Sequence, residues 1–131
     1  MIFSSAAATH YTLDYKVSNT HQAWTPTVSQ LGEWIQVSMD TPKLWTGIVV
    51  QGRGDHPSWV TSLKISYTRN GKAWKNLCEG KIFQGNSDQD QQVTIDFGEP
   101  ILARALRVHP QTWHNAISMR FDAVYVELPP L

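Results

Sequence analysis

A single cysteine, Cys78, stands in the whole chain, so no disulfide can form within it. The usual mark of a secreted domain is therefore missing, which leaves secretion itself open. Net charge is zero, with 11 basic and 11 acidic side chains, so no global field draws the chain towards nucleic acid or anionic lipid. No apolar run approaches the roughly 20 residues of a membrane span. The N-terminus, MIFSSAAATHYTLDYK, has neither a basic leader nor a long apolar stretch and does not read as a signal peptide. Catalytic constellations are missing as well. There is no Gly-x-Ser-x-Gly elbow, His-x-x-x-His pair, phosphate-cradling glycine loop or Cys-x-x-Cys, and the five histidines are scattered. A binding module rather than an enzyme is expected. Cys78 itself is expected as a half-buried small hydrophobe rather than a reactive thiol.

What is present is β-structure. With 131 residues, 41% of them hydrophobic and 17% charged, the chain reads as one folded domain over 1–131. Helical periodicity is hard to find. Strand signals recur instead in EWIQVSM, LWTGIVVQG, WVTSLKISYT, KIF, QVTIDF, ARALRVHP and ISMRFDAVYVEL. Alternation in the third would turn Val60, Ser62, Lys64 and Ser66 one way and Trp59, Thr61, Leu63, Ile65 and Tyr67 the other. Turn signals lie between the runs: Asn70-Gly71 as a tight hairpin, Gly85-Asn86, and Gly98-Glu99-Pro100. The expected fold is all-β, an antiparallel β-sandwich or jelly roll. The first thirty residues are polar and aromatic with little alternation, and read as long loops at one end.

The stretch QGRGDHPSWVT sets an Arg-Gly-Asp tripeptide between two strand signals. Integrin recognition needs that tripeptide at the tip of a mobile hairpin. The competing reading is architectural: Gly54 supplies a positive φ, while Arg53 and Asp55 pair with neighbours and hold the loop. The architectural reading is favoured.

The run from Glu33 to Val126 resembles the discoidin domain, also called the coagulation factor 5/8 type C domain. The resemblance rests on the order of EWIQV, VVQG, WVTSLKISY, FQGN, PILARALRVHP and WHNAISMR. LDY, WTP, EWIQV, FQGN and TWHNAISMRF are also locally similar to the neuropilin b1 domain, although Ser29 stands where its arginine-gripping acid would fall. The resemblance implies an eight-stranded jelly-roll sandwich whose ligands meet protruding loops. In this sequence these are His10–Gln22, Thr25–Leu31, Arg53–Trp59 and Gln111–Ala116.

It further implies a module for glycans, phospholipid membranes or proteins, at the cell surface or outside the cell. The first loop offers Tyr11, Leu13 and Tyr15 rather than an apolar Trp-Phe tip, so membrane insertion is not expected. A galactose-like or N-acetylgalactosamine-like glycan is the expected ligand, in the service of adhesion. A sugar needs an aromatic wall and paired polar groups for its vicinal hydroxyls. The expected set is His10, Tyr11, Asp14, Tyr15, Lys16, Arg53, Asp55, His56, Trp113, His114 and Asn115, with Trp59 a further wall. Trp24, Trp34, Trp45 and Trp74 are expected in the core, and Arg104, Arg107 and Arg120 in ion pairs at the sheet rim. No cofactor is expected. A structural calcium stays open, with Asn19 and Glu127 as the donors in hand. Weak single-site sugar affinity would call for a homo-oligomer or a multidomain parent, and no nucleic-acid partner is expected.

Overall fold

The computed structural model describes residues 2–4 and 23–126. Its strands are β1 (Ile2–Ser4), β2 (Ile35–Gln51), β3 (Trp59–Thr68), β4 (Trp74–Asn76), β5 (Phe83–Gln84), β6 (Val93–His114) and β7 (Arg120–Val126). Every pairing is antiparallel. β2 and β6 are long enough to serve both layers of a sandwich. The first part of β2, near Ile35–Ser38, lies between β1 and the Ala105–Val108 stretch of β6. Its second part, Gly47–Val50, lies between Val93–Asp96 of β6 and Phe121–Val124 of β7. β3 pairs with the far half of β6 and carries β4 and β5 on its other edge.

The sandwich is as expected, but its strands are divided differently. EWIQV and LWTGIVVQG are one bent strand, as are QVTIDF and ARALRVHP. The ladder between β2 and β6 shifts register between Ser38 and Lys43, where Pro42 has no N–H to give. Gly98, with φ of 84°, lets β6 bend, and the Asp96 carboxylate accepts its N–H at 2.8 Å. A residue read as a terminator is therefore a corner. Among the described residues this leaves seven strands, including an N-terminal edge strand β1 within a region read as loop.

The β3–β4 connection is also longer than an Asn-Gly hairpin. Thr68 pairs with Trp74, leaving five residues between. Asn70 Oδ1 accepts the N–H groups of Lys72 at 2.8 Å and Ala73 at 3.0 Å, closing an Asx turn.

Trp45 sits fully buried at the centre of the core, and its Nε1 donates to the Ala103 carbonyl at 2.6 Å, so the ring crosses from β2 to β6 without an orphaned donor. Trp24, Ile48, Val50, Leu63, Ile65, Ile95 and Met119 pack in the same cluster. Val60 joins them, although strict alternation would set it opposite Leu63. Register shifts on both sides of Ser62 explain this: Thr61 and Ser62 both hydrogen-bond Thr112 Oγ1, two residues against one. The bulge flips the phase of the strand.

Trp34 and Trp74 are not core residues. Both are half-buried and sandwich the Arg107 guanidinium, at 4.0 and 3.9 Å from the ring centroids, while Arg107 Nε donates to Gln36 Oε1. Arg107 thus pins β2, β4 and β6 through stacking rather than through an ion pair. Arg104 reaches the Asp40 carbonyl at 3.2 Å, again without a carboxylate. Cys78 is exposed, not half-buried, in a short turn with left-handed φ of 50°.

Beside Arg107, His109 bonds Ser66 Oγ at 2.7 Å. Burial, and then the charges of Arg107 and Lys64, hold its pKa below 6.5. The imidazole stays neutral in the fold while the unfolded chain takes up a proton below pH 6.5. Stability is then full above that pH and falls as pH drops through it. Urea midpoints measured across this window should decline with acid in the wild type and decline less in His109→Gln.

Candidate functional site

At the end of β2, Gly52 is packed so closely that a Cβ would lie 2.9 Å from both the Asp88 carbonyl and Trp59 Cβ. Only glycine fits there, and the loop of residues 53–58 starts from that constraint. Arg53 N–H donates to the Ser58 carbonyl at 3.1 Å and closes the loop on itself. Within it, Arg53 Nε donates to Asp55 Oδ1 at 2.6 Å, and His56 Nδ1 lies 2.9 Å from Ser58 Oγ. Asn115 Nδ2 reaches in from the β6–β7 turn to the Pro57 carbonyl at 2.5 Å. Gly54 is not among the glycines with positive φ, which are Gly32, Gly71, Gly80 and Gly98. The Arg-Gly-Asp segment is held by its ion pair and closing bond instead.

Beneath the loop lies Arg120, only 3% exposed. Its Nε donates to the Gly52 carbonyl at 2.7 Å, and its Nη2 to the Gln89 carbonyl at 3.1 Å and Asp90 Oδ1 at 3.2 Å. Gln89 in turn donates to the Arg53 and Gly54 carbonyls. One buried guanidinium therefore satisfies the backbone of two loops at once. Expected as a rim ion pair, it is an interior anchor that pairs with the exposed Asp90.

A stacked ring pair comes from register. Trp59 opens β3 opposite His114 at the end of β6, and their rings stack with centroids 4.3 Å apart and planes 16° from parallel. Trp113, one residue earlier, is half-buried and packs against the core. Strand β6 continues to His114, so the expected loop Gln111–Ala116 shrinks to a turn at Asn115, whose φ is 63°. Next to it, Ser29 Oγ accepts the Ile117 N–H at 2.9 Å and Thr25 bonds Ser118, which brings the Thr25–Leu31 loop to the same end. On that loop Val28 is 55% and Leu31 67% exposed.

Of the expected site residues, Arg53, Asp55, His56, His114 and Asn115 converge on one end, and Trp113 turns inward. His10, Tyr11, Asp14, Tyr15 and Lys16, and the calcium donors Asn19 and Glu127, lie outside the described residues. Among the described residues no cluster of three or more His, Cys, Asp or Glu is arranged to hold a metal ion. Gln89 and Pro57 were missed, because a glutamine in a polar loop and a proline carbonyl carry no sequence signal of their own.

The F5/8 type C domain profile matches residues 3–122. The chain belongs to the F5/8 type C domain family. Discoidin-2 of Dictyostelium discoideum is 40% identical over 101 residues, covering 77% of this chain and 39% of that protein. Lactadherin of Rattus norvegicus is 38% identical over 105 residues, 76% of this chain and 25% of lactadherin. The chain thus spans less than half the length of these relatives. The structure of Dictyostelium discoideum discoidin II superposes with a TM-score of 0.85 at 31% identity, over 98% of this chain and 55% of that one. A family 32 carbohydrate-binding module of C. perfringens, solved with galactose, shares the fold with a TM-score of 0.64 at 12% identity, over 92% of this chain and 93% of that one. The family is one of binding modules rather than enzymes.

Replacing Arg120 should disconnect both loops from the sandwich. Arg120→Gln is expected to lower unfolding free energy by about 2–4 kcal/mol in urea titrations, since the Gly52 and Gln89 carbonyls lose their buried donor. Amide exchange should accelerate at residues 53–58 and 88–91 more than in β3.

Proposed function

We propose that the domain is a non-enzymatic lectin module, binding galactose-like or N-acetylgalactosamine-like glycans at the loop end outside the cell or at its surface. The observation that carries this reading is the Trp59–His114 stack standing beside the Arg53–Asp55 pair. A flat ring pair offers an apolar wall to the C–H face of a pyranose. The guanidinium and carboxylate beside it supply donors and acceptors in fixed orientation for neighbouring hydroxyls. The loop end is ordered before any ligand arrives, through Arg120 and Asn115, which lowers the entropy cost of binding a small sugar. Such a site binds one sugar weakly, so adhesion would draw on several copies or on further domains.

A second reading is a protein- or phospholipid-binding adhesion module. Exposed Val28 and Leu31 on the Thr25–Leu31 loop favour it, being apolar tips at the same end of the sandwich.

A glycan array probed with the purified domain, beside a phosphatidylserine-liposome pull-down, separates the two. Binding to terminal galactose or N-acetylgalactosamine should fall by about tenfold or more in Trp59→Ala and in Asp55→Ala, the size expected for loss of a stacking wall or a charge-assisted contact. Val28→Ser with Leu31→Ser should leave that binding unchanged. A blank array with liposome binding lost in the Val28, Leu31 variant would establish the second reading instead.

A further inference from the structure

Zero net charge hides a strong asymmetry. Between Trp59 and Gln84 the chain carries Lys64, Arg69, Lys72, Lys75 and Lys81 against one acid, Glu79. Three of these cations belong to the β3–β4 hairpin. That hairpin is at the far end of the ten-residue β3 from the Trp59–His114 wall, about 30 Å away at ~3.3 Å per residue. Here the structure holds a cavity of about 140 Å³, lined by Tyr67, Arg69, Asn70, Ala73 and Lys75. Its walls are largely apolar, and Arg69 and Lys75 among its lining residues bring two cations to it. Arg69 and Lys75 are exposed and form no ion pair among the described residues.

We infer that this hairpin cavity is a second binding site, for a negatively charged sugar residue, a uronate or a sulfated hexose, within an acidic polysaccharide. The size decides for one ring: the cavity is close to the ~150 Å³ of an engineered cavity that takes up benzene. The lining decides for a sugar, because Tyr67 offers an aromatic surface to the apolar side of a pyranose. Arg69 supplies a planar fork that meets a carboxylate or sulfate in bidentate fashion, and Lys75 adds a mobile point charge. The frame is already rigid. Asn70 Oδ1 holds the backbone of Lys72 and Ala73, and Thr68 Oγ1 accepts the Gly71 N–H at 2.9 Å. Lys72 in the turn extends positive charge beyond the cavity, as a chain of repeating anionic sugars requires. Nucleic acid fits less well, since Trp34 and Trp74, both half-buried, are taken up in stacking on Arg107 and offer no free face to bases.

The test is titration calorimetry of the whole chain with a heparin-derived hexasaccharide, a neutral N-acetylglucosamine hexasaccharide and a single-stranded oligonucleotide of matched charge. The heparin fragment should bind and the neutral one should not. Arg69→Gln with Lys75→Gln should weaken heparin binding by about tenfold or more, as expected for losing two charge-assisted contacts, without changing the melting temperature. Asp55→Ala at the opposite end should leave it unaltered. In the wild type, NMR shifts induced by the heparin fragment should fall on Tyr67 and Ala73. No heparin binding, wild-type affinity in the double variant, shifts confined to the loop end, or equal competition by the oligonucleotide would each overturn the proposal.

Discussion

The ladder between β2 and β6 is what everything else hangs on. These two strands pair from Ile35↔Val108 to Val50↔Val93 and carry that pairing from one layer of the sandwich into the other. A strand that changes layers must bend, and bending costs ladder hydrogen bonds unless a bulge or a corner absorbs the excess. Pro42 and Gly98 stand where that happens. Trp45 then fills the space between the bent strands, and its one polar atom is satisfied by Ala103 of the partner strand. Once this frame exists, β3 has an edge to join, β7 has another, and the loops at both ends have fixed roots.

The loop end shows how a polar interior is made compatible with such a frame. Backbone carbonyls at Gly52 and Gln89 would be costly to bury unpaired, and Arg120 meets both with one side chain whose charge is shared with Asp90. Above it, Arg53 and Asp55 are engaged with each other, a pair of modest energy, about 1 kcal/mol or less at this exposure, but of definite geometry. An Arg-Gly-Asp tripeptide in that state has the two charges an integrin would need joined to one another, on a loop tied down at both ends. The tripeptide is a braced segment of the loop end, not a flexible tip.

The two ends of the sandwich differ in kind. The loop end combines a stacked ring pair, a neutralised ion pair and apolar tips at Val28 and Leu31. The hairpin end carries cations that form no ion pair among the described residues, around an apolar cavity. Near the hairpin, on the sheet face opposite Tyr67, Trp34, Arg107 and Trp74 form a stack with His109 kept neutral beside it. Charge that sums to zero over the chain is therefore sorted by position, and composition alone hides it.

By itself the sequence determined the all-β class, the family and the Arg53–Trp59 loop between two strands, because period-two hydrophobicity and turn residues are local properties that survive in one dimension. Trp24 and Trp45 were legible as core, and Arg53 with Asp55 as a loop-holding pair. Only the tertiary structure decided where each strand ended, since Gly98 and Pro42 look like terminators until a partner strand continues past them. It also decided which tryptophans were interior. Trp34 and Trp74 have the hydrophobicity of core residues, but Arg107 arrives between them from a strand over seventy positions beyond Trp34. Phase at Val60, the burial of Arg120 and the stacking of Trp59 on His114 while Trp113 packs inward all follow from bulges and register. Those are set by pairing between distant segments, so no window of sequence contains them.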